Sequence, residues 1–336
     1  MRNTYKFIFL VVLLLLLFIT DILTGSTNIS LDNFIDVLIF GEKDSIFHSV
    51  IYDFRIPKAL TAVLAGTALS VSGLQMQAIF RNPLAGPYVF GISSGASLGV
   101  ALVVLGLGGI IHSAFLGNLT VALAACLGAA IVLLAILLVS LRVKNVMTIL
   151  ILGILIGNGI SAVVSILQYF SNESMLKSFI IWTMGSLGSV TRFQLNILVP
   201  VILSGLMIAF FLSKFLNLLL MGENYAKTMG IKIILVRVLT FLSTSLLAGS
   251  ITAFCGPIGF IGIAVPHLTR IFFASANHFI LLPGTILTGS CLMLVSDIIS
   301  QTPGFENTLP INSITALFGI PIVIWIILRK QNFIEV

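Results

Sequence analysis

The chain has 336 residues, of which 58% are hydrophobic and 8% charged, and its mean hydropathy is +1.19. Soluble domains carry about 25% charged residues, so this composition excludes a soluble globular protein and points to one integral to a membrane. The net charge of +6 follows from where the bases fall along the chain, and no nucleic-acid partner is needed to account for it.

Apolar runs near the ~20 residues that cross a bilayer as helix recur from end to end. They predict ten spans, at 7–23, 59–80, 88–112, 114–141, 146–168, 193–213, 233–253, 258–273, 279–300 and 310–328. A barrel would show alternating segments of about ten residues between turns, so the expected fold class is all-α, a polytopic membrane protein forming one domain over residues 1–336. Before the first span stand Arg2 and Lys6, but no small-x-small cleavage site follows before Asp21, which reads as a retained anchor rather than a signal peptide. Beyond it, Leu31, Phe34, Ile35, Leu38 and Ile39 keep helical spacing with Asp32 and Asp36 off the stripe, as in a helix lying on the outer surface.

Between the second and third spans, Arg81-Asn82-Pro83-Leu84-Ala85-Gly86-Pro87 interrupts the apolar sequence, with Gly73 and Gln77 before it and Gly91 and Gly95 after it. Backbone freed by such a break is tolerated at membrane depth only against protein or a water-filled cavity. Ser174–Gly188, with Trp182, joins the fifth and sixth spans as a lid-like helix or an interfacial aromatic anchor. Residues 214–232 hold the densest charge between spans. There Glu223 and Lys227 stand at i,i+4 on a short helix ending near Gly230, which is either a docking surface for a soluble partner or a solvated loop with one local ion pair.

With the N-terminus inside, the inner segments hold 12 of the 17 basic residues: Arg2, Lys6, Arg81, Arg142, Lys144, Lys214, Lys227, Lys232, Arg237, Arg270, Arg329 and Lys330. The outer segments keep Lys43, Arg55, Lys58, Lys177 and Arg192 and most of the acids. The positive-inside rule then places both termini in the cytoplasm. Cys126, Cys255 and Cys291 lack metal-ligand spacing, and the four histidines are scattered, so no disulfide framework, metal centre or catalytic constellation can be written. Pro266-His267 reads as structural, and the nine methionines read as packing.

Thr61–Gly73 agrees with Thr244–Gly256 at five of thirteen positions. The two stretches fall in the second and seventh spans, so the halves they belong to would cross the membrane in opposite directions, as in transporters with inverted repeats. Chance similarity of two small-residue packing faces is the other reading. Gln75, Gln77, Asn158 and Gln168 are amides within spans, either lining a pathway or bonding helix to helix.

Taken in order, Arg55-Ile56-Pro57-Lys58, Gly73-x-x-x-Gln77, Arg81-Asn82-Pro83-Leu84-Ala85-x-Pro87, Gly91-x-x-x-Gly95-Ala96, Trp182-x-x-Gly185-Ser186, Gly222-Glu223-x-x-Ala226-x-x-x-Gly230, Gly259-Phe260-Ile261-Gly262-x-x-x-Pro266-His267-x-x-Arg270, Leu282-Pro283-Gly284 and Leu309-Pro310 resemble the permease subunit of type II ABC importers for iron-siderophores, haem and cobalamin, the FecCD-type permeases. The resemblance covers nearly the whole chain. It implies a homodimer in a bacterial inner membrane, with ten helices per subunit and helices two to five repeated inverted as seven to ten. It also implies two cytoplasmic ATP-binding subunits, which carry the ATP and Mg, and an extracytoplasmic substrate-binding protein. No cofactor is then expected on this chain, which lacks a G-x-x-x-x-G-K-[ST] phosphate loop and is expected not to be an enzyme itself.

Carried over by position, Gly222, Glu223, Ala226, Lys227 and Gly230 would form the coupling helix that seats on the ATPase. Arg55 and Lys58 would meet acids of the binding protein at the outer mouth, and Asn82, Pro83 and Leu84 would form the cytoplasmic gate with Asn145 and Thr148 as neighbours. The chain departs from the pattern at Gln301, where many relatives carry a third base four residues after the acid matching Asp297. Ferric siderophore is the preferred cargo, with haem or cobalamin as alternatives. An ion-coupled secondary transporter is a rival from another class, and would ordinarily bury ionisable groups mid-membrane.

Overall fold

The computed structural model describes residues 2–25, 46–106, 118–143, 145–301 and 308–329. The expected surface helix over Leu31–Ile39 lies outside the described residues. The helices are α1 (Arg2–Leu23), α2 (Ile56–Phe80), α3 (Ile92–Ala101), α4 (Asn118–Arg142), α5 (Val146–Tyr169), α6 (Glu173–Met184), α7 (Arg192–Leu220), α8 (Glu223–Thr228), α9 (Ile233–Thr244), α10 (Ser250–Cys255), α11 (Ile261–Phe273), α12 (His278–Ser300) and α13 (Ile311–Arg329). Wide π-helical turns lead into α2 at Val50–Arg55, extend α3 at Leu102–Gly106 and fuse α9 to α10 at Ser245–Gly249. Seven helices among the described residues are long and apolar enough to cross a bilayer. Three shorter apolar ones, Ile92–Gly106, Ile261–Phe273 and Ile311–Trp325, complete the expected ten.

The helix ends follow local chemistry. Asn145 accepts the Met147 N–H (2.9 Å) at the start of α5, and Asn277 accepts the Phe279 N–H (3.0 Å) at the start of α12. Thr191 and Gln194 exchange side-chain and backbone bonds at the start of α7, a capping box. The sixth span outruns its expected end at 213 and reaches Leu220, because Leu216 and Leu219 remain buried under the segment that follows.

At the centre stands α2, buried from Thr61 almost without interruption to Phe80. Its small residues let neighbouring backbones close in, as association without a hydrophobic driving force requires. An added Cβ on Gly66 would come 2.2 Å from the Gly289 carbonyl oxygen, and one on Gly73 would come 1.7 Å from that of Gly262. The Gly262 carbonyl is the one that Pro266, lacking an N–H, leaves unbonded within α11. Hydroxyls add interhelical bonds: Thr67 pairs with Ser290 of α12 (2.9 Å), and Ser70 donates to the Thr285 carbonyl (3.0 Å).

Two halves of like construction interlock. From the first, α2 packs on α11 and α12; from the second, the fused α9–α10 span packs on α3 and α4. Two of the short spans begin at a residue with left-handed φ, Gly91 (+70°) before α3 and Phe260 (+65°) before α11. Each of these residues abuts a helix glycine two spans later, Gly157 for Gly91 and Gly319 for Phe260. The repeat is therefore one of architecture. The thirteen-residue match seen in sequence is out of register with it, since Thr61–Gly73 stops well inside α2 whereas Thr244–Gly256 crosses the wide turn and runs off the end of α10.

Contacts between distant residues sort the helix ends. Lys6 donates to the Phe272 carbonyl, Arg81 to the Leu219 carbonyl, and Asn217 accepts the His278 N–H, all at one end of the bundle. At the other end Arg55 meets the end of α1, Arg192 donates to the Tyr52 carbonyl and Ser186 to that of Cys255. The first end is the one expected to face the cytoplasm.

Candidate gate and coupling site

At the expected inner end, α2 stops at Arg81, whose backbone turns left-handed (φ 46°, ψ 33°). The next residues form a tight turn: the Asn82 side chain accepts the Leu84 N–H (2.9 Å) and its carbonyl accepts the Ala85 N–H (3.1 Å). His267 of α11 donates Nε2–H to the Pro83 carbonyl (2.7 Å), so the histidine of the Pro266-His267 pair holds the turn, as a structural reading expects. Leu84 projects at the tip, 43% exposed. Further along, the Tyr88 hydroxyl accepts the Ile258 N–H (3.3 Å), so the break of the first half rests on the break of the second and its backbone is shielded by protein.

Of the two neighbours assigned to this turn, Asn145 caps α5 and Thr148 is exposed on that helix's first turn. Among the described residues no hydrogen bond joins either to Asn82–Leu84. The amides divide into two groups. Gln75 is buried, accepting from Ser243 (3.1 Å) and Thr244 (3.3 Å) of α9. Gln77 is buried too, donating to the Ile263 carbonyl (3.1 Å) and accepting from Arg270 (2.5 Å). These two bond helix to helix inside the chain, the second of the two readings open to them, and so are not pathway lining. Asn158 is exposed and Gln168 half-buried on α5.

Beyond α7 the chain turns at Gly222 (φ +123°) into the six-residue α8, which Gly230 (φ +79°) closes. Both glycines have open space where a Cβ would stand, so backbone geometry and not crowding selects glycine. Two expectations are corrected here. Glu223 does not pair with Lys227; it reaches back to Arg237 of α9 (2.7 Å), while Lys227 stays exposed. Ala226 is fully buried in a cluster with Leu216, Leu219, Ile233 and Val236, so it cannot present a docking surface. The exposed apolar side chains of this segment are instead Met221, Tyr225 and Met229, spaced four residues apart and 66%, 44% and 59% exposed. Sequence reading missed them, although their i,i+4,i+8 spacing beside two glycines was the available signal.

At the opposite end, Arg55 is buried and donates to the carbonyls of Ile22 (2.6 Å) and Leu23 (2.9 Å), capping α1. Lys58 pairs with the buried Asp297 at 3.1 Å. Gln301, the residue that departs from the pattern resembled, donates to Asp21 and to Asp297, 3.1 Å each, and so binds two acids of the chain itself. Arg55 and Lys58 are thus bonded within the chain, at the end where the resemblance would have them meet acids of a binding protein. They line a cavity of about 760 Å³ with the α6–α7 turn and the start of α13. Among the described residues no cluster of three His, Cys, Asp or Glu could hold a metal ion.

A family model described as the FecCD transport family matches residues 13–329. The hemin transport system permease protein of Yersinia pestis is 34% identical over 96% of this chain and 95% of its own. The vitamin B12 import system permease protein of Shigella boydii is 33% identical over 98% and 97%. A solved inward-facing structure of a metal-chelate type ABC transporter superposes with a TM-score of 0.85 at 30% identity, over 97% of this chain and 99% of that one.

Proposed function

The chain belongs to the FecCD transport family, and from that premise we propose that it forms the translocation pathway of an ATP-driven importer whose cargo is a ferric siderophore. A permease of this family is a transport subunit and not itself an enzyme, and ATP hydrolysis belongs to ATP-binding partner subunits. The observation that carries the reading is the exposed apolar set Met221, Tyr225 and Met229, on α8 and the residues flanking it, in a segment clasped by α7 and α9 at the end where the basic residues gather. An apolar row flanked by Lys227 and Lys232 suits a soluble protein surface better than a loop in water. Tyr225→Asp with Met229→Asp is expected to cut co-purification of the ATP-binding subunit at least ~10-fold, the effect of removing about 1.4 kcal/mol from an interface. Retained assembly at wild-type yield would remove the row from the interface.

We read the chain as one half of a homodimer with both termini cytoplasmic. Support comes from α5, where Asn158 is exposed among Ile151, Ile154, Leu155 and Val163. An amide facing lipid is costly, and a second copy across a pathway would cover it. Leu84 then serves as a gate residue, since an apolar constriction bars solutes by steric closure and dewetting. Leu84→Ala proteoliposomes are expected to leak small solutes or to hydrolyse ATP with a reduced uptake yield. Unchanged leak and yield together would place the gate elsewhere.

Haem or cobalamin is the second reading of the cargo, favoured by the names of the two relatives. Uptake of labelled ferric siderophore, haem and cobalamin by the reconstituted importer decides among them. Uptake of haem or cobalamin alone would overturn the siderophore reading. The ion-coupled alternative is disfavoured because the acid pair Asp21 and Asp297 lies at the span ends beside Lys58, where a mid-membrane coupling site would not be.

A further inference from the structure

We propose that Arg81 is the link through which movement of the coupling helix α8 reaches the gate turn at Leu84. The inference rests on the gate and coupling readings above and adds the residue that joins them. Its guanidinium Nη2 donates to the carbonyl of Leu219 at 2.7 Å. That carbonyl also accepts the Gly222 N–H, at 3.1 Å, so it belongs to the very turn by which α7 passes into α8. A shift of α8 that displaces Gly222, whose φ of +123° and open surroundings leave it free of side-chain restraint, pulls on that N–H. Such a shift moves the Leu219 carbonyl directly.

On the other side of the link, Arg81 is the residue from which the gate turn springs. The turn is internally bonded through Asn82 and so moves as a unit. It is held from behind by His267 on the Pro83 carbonyl. Two tethers therefore meet on one small turn, one from the coupling segment and one from α11. Arg81 occupies a left-handed conformation (φ 46°) that a non-glycine residue resists. Retaining a long cationic side chain there is explained by what it reaches, a carbonyl at the C-terminus of α7, where the helix dipole favours a cation. Arg81 is a positioning residue in this scheme and touches no cargo.

The test uses the permease assembled with its ATP-binding subunits. A fluorophore at Leu84→Cys reports the gate turn and one at Lys227→Cys reports α8, each read with and without ATP and vanadate. Arg81→Gly and Arg81→Asn both accept the left-handed backbone and cannot span to Leu219. Each is expected to reduce the nucleotide-dependent signal at position 84 at least fivefold, while the signal at 227 and the ATPase rate stay within twofold of the parent. Arg81→Lys, which keeps a donor of comparable reach, is expected to restore part of the signal at 84. An undiminished signal at 84 in Arg81→Gly or Arg81→Asn overturns the link while leaving gate and coupling helix in place. A silent label at 84 in the parent overturns the gate reading, and the link with it. Loss of assembly in both short variants but not in Arg81→Lys makes Arg81 a structural pin and likewise overturns the proposal.

Discussion

Gly73→Leu is expected to yield no monodisperse permease in detergent, with the chain recovered as aggregate or degraded. A Cβ at this position would stand 1.7 Å from the Gly262 carbonyl oxygen, and the obstacle is backbone in the first turn of α11, so no rotamer change relieves it. Restoring van der Waals contact would require α2 and α11 to part by more than an ångström along their crossing, opening the buried layer around Leu69, Leu74 and Val265. Overpacking against a movable side chain costs about 1–3 kcal/mol. Against fixed backbone the cost exceeds that range and approaches the ~5–15 kcal/mol by which a whole protein is stable. Gly73→Ala should show the same defect in milder form, as a lowered midpoint of thermal aggregation. Gly159→Leu on the open face of α5, with nothing within 4 Å, should leave folding unchanged. Size-exclusion profiles of the three variants decide the matter, and a monodisperse Gly73→Leu would show that the close crossing of α2 and α11 is not essential.

That crossing also shows where sequence reading reaches its limit. The spans, the break at Arg81–Pro87, the helix at Glu173–Met184 and the turn at Gly230 were legible because hydropathy and Gly/Pro punctuation are local signals. Which spans touch was not, since Gly66, Gly73, Gly95 and Gly128 present similar small faces and each seats on a different partner. The amides illustrate a subtler failure. That Gln75 and Gln77 turn away from lipid follows from the cost of an unsatisfied amide in hydrocarbon, but turning away from lipid led into the chain's own interior. Glu223 shows the reach of local rules in another way: i,i+4 spacing pointed to Lys227, yet α8 is only six residues long and α9 folds back to bring Arg237 closer. Family resemblance singled out Gly222–Gly230 and Asn82–Leu84 as candidates for coupling and gating, but it could not say that Ala226 faces inward while Met221, Tyr225 and Met229 face out.

Lys58→Met is expected to destabilise the permease by about 3 kcal/mol, the lower end of the ~3–5 kcal/mol for breaking a buried ion pair. The lower end applies because Lys58 keeps 18% exposure whereas Asp297 keeps 2%. Without Lys58 the acids Asp21 and Asp297 would keep the hydrogen bond between them, the Gln301 amide and the Ser300 hydroxyl, but the charge on a carboxylate only 2% exposed would lose its paired cation. Lys58→Met combined with Asp297→Asn removes the orphaned charge together with its partner, so most of the lost stability should return, a coupling that a thermodynamic cycle measures directly. The same cluster governs how docking at this end has to be tested. Reversing Arg55 and Lys58 to glutamate would add two acids to a buried pair of acids and strip the cap from α1. A fall in affinity for a binding protein in that variant would then follow from collapse of the end itself. Thermal midpoints of wild type, Lys58→Met, Asp297→Asn and the double variant settle the first question, since additive losses with no rescue would mean that Lys58 and Asp297 do not depend on one another.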